Sequence, residues 1–278
     1  MAIITFLNNE SKETGQTLSS IAISALYGIE HNLNILLVTT DFNDDTVNTS
    51  FFEKRKNTLN FLGTNQRFQN DFSNGAEGLI RMFAANRASA DIIKSYTKPV
   101  LHDRLDILVP PQTTDIKQFK EMTKFYPSII ETASKVYDIV IVDLSKAVRQ
   151  DAYDRILEIS NIMILMLRQN QKSIENFLKL KNTDEFFNKR DLILGIGKYD
   201  SESMYSAKNI GRYLREKQTP LAFPYNINYS DNCSKGRVID YFLSTNSLTF
   251  KDGEEGFFYD ELRRDIDIIE GIRMSLGF

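Results

Sequence analysis

The chain has 278 residues, 42% of them apolar, and its net charge of −3 comes from interspersed acidic and basic residues. This length allows one large α/β domain or two ordinary ones, and the lack of a Pro/Gly/Ser-rich linker favours a single domain over 1–278. The charge pattern excludes the basic patches typical of proteins that bind nucleic acid or anionic lipid. The only cysteine, Cys233, excludes an intramolecular disulfide, and no targeting or membrane segment is evident, so we expect a cytoplasmic protein.

The first predicted elements are a strand, a polar loop and a helix. The run from Ala2 to Leu7 is apolar and partly β-branched, which is typical of a strand buried on both faces. Residues 18–29 carry apolar side chains at helical spacing, and Thr17 is the predicted N-cap of this helix. The loop that joins them reads Glu-Ser-Lys-Glu-Thr-Gly-Gln-Thr over residues 10–17.

This loop has the outline of the phosphate-binding pattern G-x-x-x-x-G-K-[ST]. In that pattern a glycine turns the backbone, a lysine neutralises phosphate charge and a hydroxyl holds magnesium. Gly15 and Thr17 occupy the positions of the second glycine and the hydroxyl, whereas Gln16 replaces the lysine and Glu10 the first glycine. Free backbone amides at a helix N-terminus still attract phosphate. The sequence therefore predicts a loop that binds phosphate but lacks the charge needed for efficient hydrolysis.

Strands and helices alternate along the rest of the chain. Apolar runs predict strands over 34–40, 105–109, 137–143, 162–167, 192–197 and 221–225. Helical spacing predicts helices over 78–85, 90–95, 115–135, 151–159, 171–182, 207–216 and 257–278, and the polar, aromatic-rich segment 42–75 is expected to hold short helices. The alternation predicts an α/β fold of three layers, in which a mostly parallel sheet has helices on both faces.

Two aspartates stand where predicted strands end. Asp41 follows the second strand, and Asp143 ends the strong apolar run of the strand over 137–143. Ligands of open parallel sheets bind outside the carboxyl ends of the strands, so both aspartates and the loop over 8–17 are expected at one edge. For Asp41, positioning of magnesium or of an attacking water competes with a turn-forming role after a strand. For Asp143 a ligand-facing role is favoured over a structural one.

With these elements in this order, nearly the whole chain resembles the ParA/MinD family of deviant Walker A ATPases, which have a P-loop NTPase fold. The resemblance places Ser11 at the family's signature lysine, Gln16 at the P-loop lysine and Thr17 at the magnesium-binding hydroxyl. It places Thr39-Thr40-Asp41 at the family's D-x-D and Asp143 at its Walker B aspartate.

Late in the chain, Phe223-Pro224-Tyr225-Asn226 resembles the family's I-P-x-N stretch, which precedes a base-contacting loop. The resemblance implies that ATP or ADP and Mg²⁺ are the cofactors. The nucleotide-binding residues that it implies are Glu13, Thr14, Gly15, Gln16, Thr17, Leu18, Pro224 and Asn226. The implied magnesium ligands are Thr17 and Asp143, and the implied catalytic residues are Asp41 and Lys12. Lys12 lies one position from the signature lysine, so a small adjustment of the loop would present it to phosphate.

The departures from the family pattern leave three functional hypotheses open. Both loop lysines are missing from their places and Thr39 replaces the first aspartate of the D-x-D, which favours a pseudo-ATPase that positions or assembles a larger apparatus. Such a protein would be similar to the TadZ/CpaE group, with a homodimer and an unidentified protein partner in a pilus, secretion or partition system. The alternative is a slow Mg-ATPase that uses Lys12 as a displaced lysine and dimerises around nucleotide. The third is a binding module that has abandoned nucleotide and kept only the dimer surface.

The C-terminal segment over 257–278 is predicted to form an amphipathic helix, which could pack either on a membrane surface or on the protein's own core. Apolar residues recur on one stripe of this segment, and most of its charged residues are acidic. An anionic helix is repelled by an anionic bilayer. We therefore expect the segment to pack on the sheet and expect no membrane partner.

Overall fold

A computed structural model describes residues 1–10, 13–53, 75–189, 192–247 and 253–278. Its strands are β1 (Ala2–Asn8), β2 (Ile35–Thr39), β3 (Lys98–Leu101), β4 (Leu105–Leu108), β5 (Ile139–Asp143), β6 (Ile162–Arg168), β7 (Ile193–Tyr199) and β8 (Leu221–Pro224). Its helices are α1 (Gln16–Glu30), α2 (Thr46–Phe51), α3 (Ala76–Ala84), α4 (Ala90–Tyr96), α5 (Ile116–Thr123), α6 (Tyr126–Ala133), α7 (Gln150–Ile159), α8 (Gln171–Thr183), α9 (Glu185–Lys189), α10 (Ala207–Leu214), α11 (Ile227–Lys235), α12 (Val238–Ser247) and α13 (Glu254–Ser275).

The strands form one sheet in the order β3-β4-β2-β5-β1-β6-β7-β8. All neighbouring strands are parallel except β3 and β4, which run antiparallel. Asp143 at the end of β5 is in register with Phe6 of β1 on one side and Thr39 of β2 on the other. The carboxyl ends of these three central strands therefore meet at one edge, as expected for a parallel sheet.

Two hydrophobic cores lie on the opposite faces of this sheet. Along β1, Ile4 and Phe6 belong to one core and Ile3 and Leu7 to the other, because successive side chains of a strand point to opposite faces. Helices α1, α2, α11, α12 and α13 cover the first core, and α3, α4, α6, α7, α8 and α10 cover the second. The predicted three-layer α/β fold with a mostly parallel sheet is confirmed.

Some elements differ from the sequence-based expectations. Strand β3 was not predicted because its four residues include Pro99 and are only partly buried, so no apolar run or alternation identifies it. The predicted helix over 115–135 is two helices, α5 and α6, with Pro127 in the first turn of the second. Proline fits the first turn of a helix because it has no amide hydrogen to donate to a preceding turn. Helix α11 is mostly polar and has only two buried residues, so apolar spacing did not reveal it.

The C-terminal helix α13 packs on the sheet, as predicted. The buried carboxylate of Asp265 accepts a hydrogen bond of 2.9 Å from the backbone amide of Ala222 in the edge strand β8. Tyr259 and Arg263 both donate to Glu30 at the end of α1. Helix α13 is thus fastened to both the sheet and the first helix.

No helix in the described ranges combines the length and the apolar character that crossing a bilayer requires.

Candidate functional site

A cavity of about 1070 Å³ lies at the carboxyl edge of the sheet. The loop residues Glu13, Thr14, Gly15, Gln16, Thr17 and Leu18 line it, together with Asp41 and Asp143. The structure therefore brings together the loop and the two strand-end aspartates that the sequence placed at one edge. Ser11 and Lys12 lie outside the described residues.

The backbone of the loop leaves the N-terminus of α1 open toward the cavity. Gly15 is the N-cap residue and adopts a left-handed conformation, with φ of 73° and ψ of 8°. The prediction that Thr17 caps the helix is wrong: Thr17 lies in the first turn, and no side chain caps this end. No acidic residue occupies the first turn either. Uncapped amides and the helix dipole together form a site for an anion.

Strand β7 supports the loop from below. A Cβ atom on Gly197 would lie 1.9 Å from the carbonyl oxygen of Thr14 and 3.3 Å from the Cα of Gly15. Only glycine allows the two backbones to come this close. Gly197 therefore fixes the position of the loop relative to the sheet.

Gln16, at the position of the P-loop lysine, turns its side chain under the loop and toward the strand ends. Its amide nitrogen donates to Asp143 Oδ1 at 2.6 Å, and the carbonyl oxygens of Phe6 and Leu144 each lie 3.1 Å from the same nitrogen. Its amide oxygen accepts a hydrogen bond of 2.5 Å from Asn8. Gln16 is buried, and its contacts join β1, β5 and α1.

We expect Gln16→Met to lower the free energy of unfolding by about 1–3 kcal/mol, because methionine keeps the length of the side chain but leaves the buried acceptors without a donor. Urea unfolding measures the change. Gln171→Met is the matched control, since Gln171 is exposed and its side chain donates to Glu175, one turn along the same helix. Equal stability of the Gln16 variant and the wild type would show that this network does not hold the strand ends together.

Asp143 is buried beneath the loop, at the wall of the cavity. Burial raises its pKa from 3.8 to about 6; hydrogen bonds from Thr17 and Gln16 oppose this rise, and the nearby carboxylates of Asp41 and Asp44 add to it. Both predicted magnesium ligands, Thr17 and Asp143, are thus in contact. The Asp143 carboxyl group accepts a hydrogen bond of 2.6 Å from Gln16.

Asp41 is held at the same edge by residues that the sequence did not single out. Its Oδ1 accepts hydrogen bonds of 2.8 Å from the Ser145 hydroxyl and from the amide of Phe42. The Thr40 hydroxyl donates to the backbone oxygen of Asp143 and accepts from the amide of Ser145. The segment after β2 is therefore tied to the segment after β5, which holds Asp41 beside Asp143.

No protein-family model matches the chain, and no curated protein sequence matches it. Its structure is similar to that of the septum site-determining protein MinD from Pyrococcus horikoshii in complex with Mg-ADP, with a TM-score of 0.66, 14% identity and 98% of each chain covered. It is similar to a ParA family ATPase from Chlorobium tepidum, with a TM-score of 0.65 and 12% identity over 87% of this chain and 93% of that one. A plasmid partition protein from Borrelia burgdorferi bound to AMPPNP gives a TM-score of 0.60 and 17% identity over 97% of this chain and 99% of that one.

The chain has the ParA/MinD fold. At these identities the similarity shows the fold alone, so the chemistry of the site rests on the residues that line it. Within the described ranges, no group of three or more His, Cys, Asp and Glu side chains is arranged to hold a metal ion. Magnesium commonly needs only one or two carboxylates when phosphate oxygens complete its shell, so Thr17 and Asp143 fit that smaller contribution.

The charges around the cavity differ from those expected for a site that receives a free polyphosphate. Five carboxylates line it: Glu10, Glu13, Asp41, Asp44 and Asp143. The cations among its described lining residues are Lys146 and Lys198, neither of which was predicted. Lys146 lies three residues after the end of β5, and Lys198 is the next-to-last residue of β7. A lysine at the carboxyl end of a strand is the sequence signal that could have identified them. An anionic ligand would meet less repulsion from this acidic wall if it arrived with a divalent cation.

Glu10, which replaces the first glycine of the loop pattern, has a structural partner. Arg168 at the end of β6 donates to Glu10 Oε2 from Nε at 2.5 Å and lies 3.5 Å from Glu13. The side chain of Glu10 is 8% exposed, whereas that of Glu13 is 70% exposed. Glu10 therefore anchors the loop to β6, and Glu13 faces solvent.

Pro224 and Asn226 do not line the main cavity. They border an adjoining cleft of about 30 Å³, which shares Gly15, Leu18 and Lys198 with it. Asn226 is buried and its side-chain oxygen caps α11 by accepting from the amide of Tyr229 at 2.7 Å. The cleft is far smaller than the main cavity, so a purine base would require it to widen. The base-contacting role of Pro224 and Asn226 stays a prediction.

Proposed function

We propose that this protein binds ATP or ADP with Mg²⁺ in the main cavity without efficient hydrolysis, and that nucleotide binding controls a positioning or assembly role. The observation that carries the proposal is the orientation of Gln16. Glutamine carries no charge, and its amide donates to Asp143 and the strand-end carbonyls beneath the loop, so residue 16 offers neither a positive charge nor a free donor to a ligand. Loss of one preorganised charge-stabilising donor typically costs about 10²–10³ in rate.

The backbone of the site supports binding. The uncapped amides of α1 face the cavity, and each favourable charge at a helix N-terminus contributes about 0.3–1 kcal/mol. Glu13, Thr14, Gly15, Gln16, Thr17 and Leu18 would surround the phosphates, with Thr17 and Asp143 contributing oxygens to Mg²⁺. Bound Mg²⁺ would neutralise charge between the phosphates and the carboxylates of the wall. Asp41, fixed by Ser145, would orient a water molecule on this side.

The proposed biological role rests on the similarity of fold. The proteins with similar structures include a septum site-determining protein and a plasmid partition protein. We propose a comparable role for this chain as one domain over 1–278 that forms a homodimer and binds an unidentified protein partner. A degenerate member similar to the TadZ/CpaE group, serving a pilus or secretion apparatus, fits the loss of loop charge.

Thermal unfolding with Mg-ATP, Mg-ADP and Mg-GTP tests binding, because a ligand of the folded state at about 100 times its Kd stabilises that state by about 2.7 kcal/mol. We expect stabilisation by an adenine nucleotide and phosphate release near the background rate. Asp41→Ala should leave that rate unchanged. Release as fast as that of an active MinD measured in parallel, and lost on Asp41→Ala, would contradict the pseudo-ATPase proposal.

Two further outcomes identify the alternatives. Slow hydrolysis that Lys12→Ala abolishes would establish the slow Mg-ATPase with a displaced lysine. A dimer that persists in sedimentation while no nucleotide stabilises the protein would establish a binding module that no longer uses nucleotide.

A further inference from the structure

Lys146 stands at the carboxyl edge of the sheet, three residues after Asp143. It lines the main cavity together with the loop residues. It also lines a second cavity of about 600 Å³, whose wall includes Asn9, Tyr153 and Lys179. Lys146 therefore lies between the two cavities, on the side of the main cavity that the β5 strand end forms.

The Lys146 ammonium group is available to a ligand. It makes no ion pair with a carboxylate in the described part of the chain, whereas Arg168 forms ion pairs with Glu10 and Glu13. Lys146 is exposed; the groups around it still withdraw enough water to lower its pKa, and the field of Glu10 opposes this shift. A cation without a direct partner gains from the approach of an anion, because their opposite charges attract.

Glu10 does not hold Lys146 in place. One oxygen of the Glu10 carboxylate binds Arg168, and the other, Oε1, is buried without a hydrogen-bond partner among the described residues. Glu10 thus gives the neighbourhood of Lys146 a negative potential without fixing the direction of its side chain. The long lysine side chain stays able to turn into the main cavity.

We propose that Lys146 supplies to the phosphates of a bound nucleotide the positive charge that Gln16 does not supply. The inference rests on the proposed function, namely that the main cavity binds a nucleoside di- or triphosphate with a divalent cation. The charge then comes from the segment after β5 instead of from the loop before α1. Gln16 keeps its structural contacts to the strand ends, and the phosphate contact passes to a lysine on the other side of Asp143.

Among the described residues, Lys198 is the competing cation. It is exposed, follows Gly197 near the end of β7, and lines both the main cavity and the small cleft beside Asn226. This position is on the side of the loop away from Asp143. A lysine there would contact the part of the ligand that enters the cleft. Substitution of Lys146 and substitution of Lys198 are therefore expected to give different results in the same binding measurement.

Isothermal titration of the full chain with Mg-ADP and with Mg-AMPPNP tests the assignment. We expect Lys146→Met to weaken binding at least about tenfold, since a hydrogen bond to a charged group is lost, and Lys146→Arg to retain most of the affinity. The dependence of log Kd on log salt should become shallower in Lys146→Met. Lys179→Met is the matched control, because Lys179 is also exposed but lines only the second cavity, and it should bind as the wild type does.

The outcomes separate this inference from the proposed function. If the wild type binds nucleotide and Lys146→Met binds within about twofold of it, the assignment of Lys146 is wrong while the proposed function stands. The same holds if Lys198→Met loses affinity and Lys146→Met does not. Absence of any nucleotide binding to the wild type would instead overturn the proposed function and this inference with it. Urea unfolding of Lys146→Met without ligand should match the wild type, which shows that a lost affinity is not a lost fold.

Discussion

Replacement of Gly197 by alanine is expected to lower the free energy of unfolding by about 3 kcal/mol, because the added methyl group overpacks a tight contact. The new Cβ would lie 1.9 Å from the carbonyl oxygen of Thr14 and 2.9 Å from its carbonyl carbon. Both are backbone atoms, so no change of side-chain rotamer relieves the clash. Either β7 or the loop before α1 must shift, and Gly15 shifts with it. Urea unfolding followed by circular dichroism measures the loss.

Gly271→Ala is the control for this variant. Nothing lies within 4 Å of a Cβ at position 271 in α13, so the methyl group enters open space. Alanine in a helix interior is favoured over glycine by about 0.5–1 kcal/mol, so this variant should be more stable than the wild type. The same substitution is thus expected to act with opposite sign at the two positions. Wild-type stability of Gly197→Ala would mean that β7 does not support the loop.

Asp143 is expected to make the stability of the protein depend on pH. Its pKa is raised from 3.8 to about 6 in the folded state, chiefly by burial. A raised pKa means that the folded protein holds the proton more tightly than the unfolded chain does, so this contribution is fully present below about pH 4 and is lost as pH rises through about 6. One pKa unit corresponds to about 1.4 kcal/mol, so the contribution is of the order of 3 kcal/mol.

Asp143→Asn tests this expectation, because asparagine still accepts a hydrogen bond from Gln16 but carries no charge. We expect the variant to match the wild type near pH 4 and to exceed it by up to about 3 kcal/mol at pH 8. Unfolding is measured in EDTA, since a bound divalent cation would stabilise the ionised carboxylate. Asp260→Asn, on the exposed side of α13, removes a charge from water and serves as the control. A difference between Asp143→Asn and the wild type that is independent of pH would contradict the assignment.

The alternation of strands and helices could be predicted because it depends on local patterns. The runs that became β1 and β5 are continuous and apolar, and parallel strands buried on both faces require such runs. The convergence of the loop with Asp41 and Asp143 also followed, because every parallel strand brings its carboxyl end to the same edge. Strand β3 and helix α11 were missed because their stability comes from contacts with other elements and not from an apolar pattern of their own.

The sequence brought the loop, Asp41 and Asp143 to one cavity, but it missed Lys146 and Lys198, and it did not predict how these side chains contact one another. The sequence shows a glutamine where the loop pattern has a lysine, but that its amide turns beneath the loop depends on Phe6, Asp143 and Leu144, which two other segments supply. The ion pair between Glu10 and Arg168 joins residues 158 positions apart. No spacing rule relates residues that far apart, because their meeting depends on the order of strands in the sheet.

By itself, the sequence determined the three-layer architecture, the edge of the sheet where the loop meets Asp41 and Asp143, and the absence of a lysine at position 16. These features follow from hydrophobic period and residue identity, which act over a few residues. Only the tertiary structure decided which charges face the cavity. In the structure, Arg168 pairs with Glu10, and Gln16 donates to Asp143. Lys146 lines the cavity without a described carboxylate partner. Which charged side chains remain free to face a cavity depends on how they pair in three dimensions. That pairing is set by the order of the strands in the folded sheet.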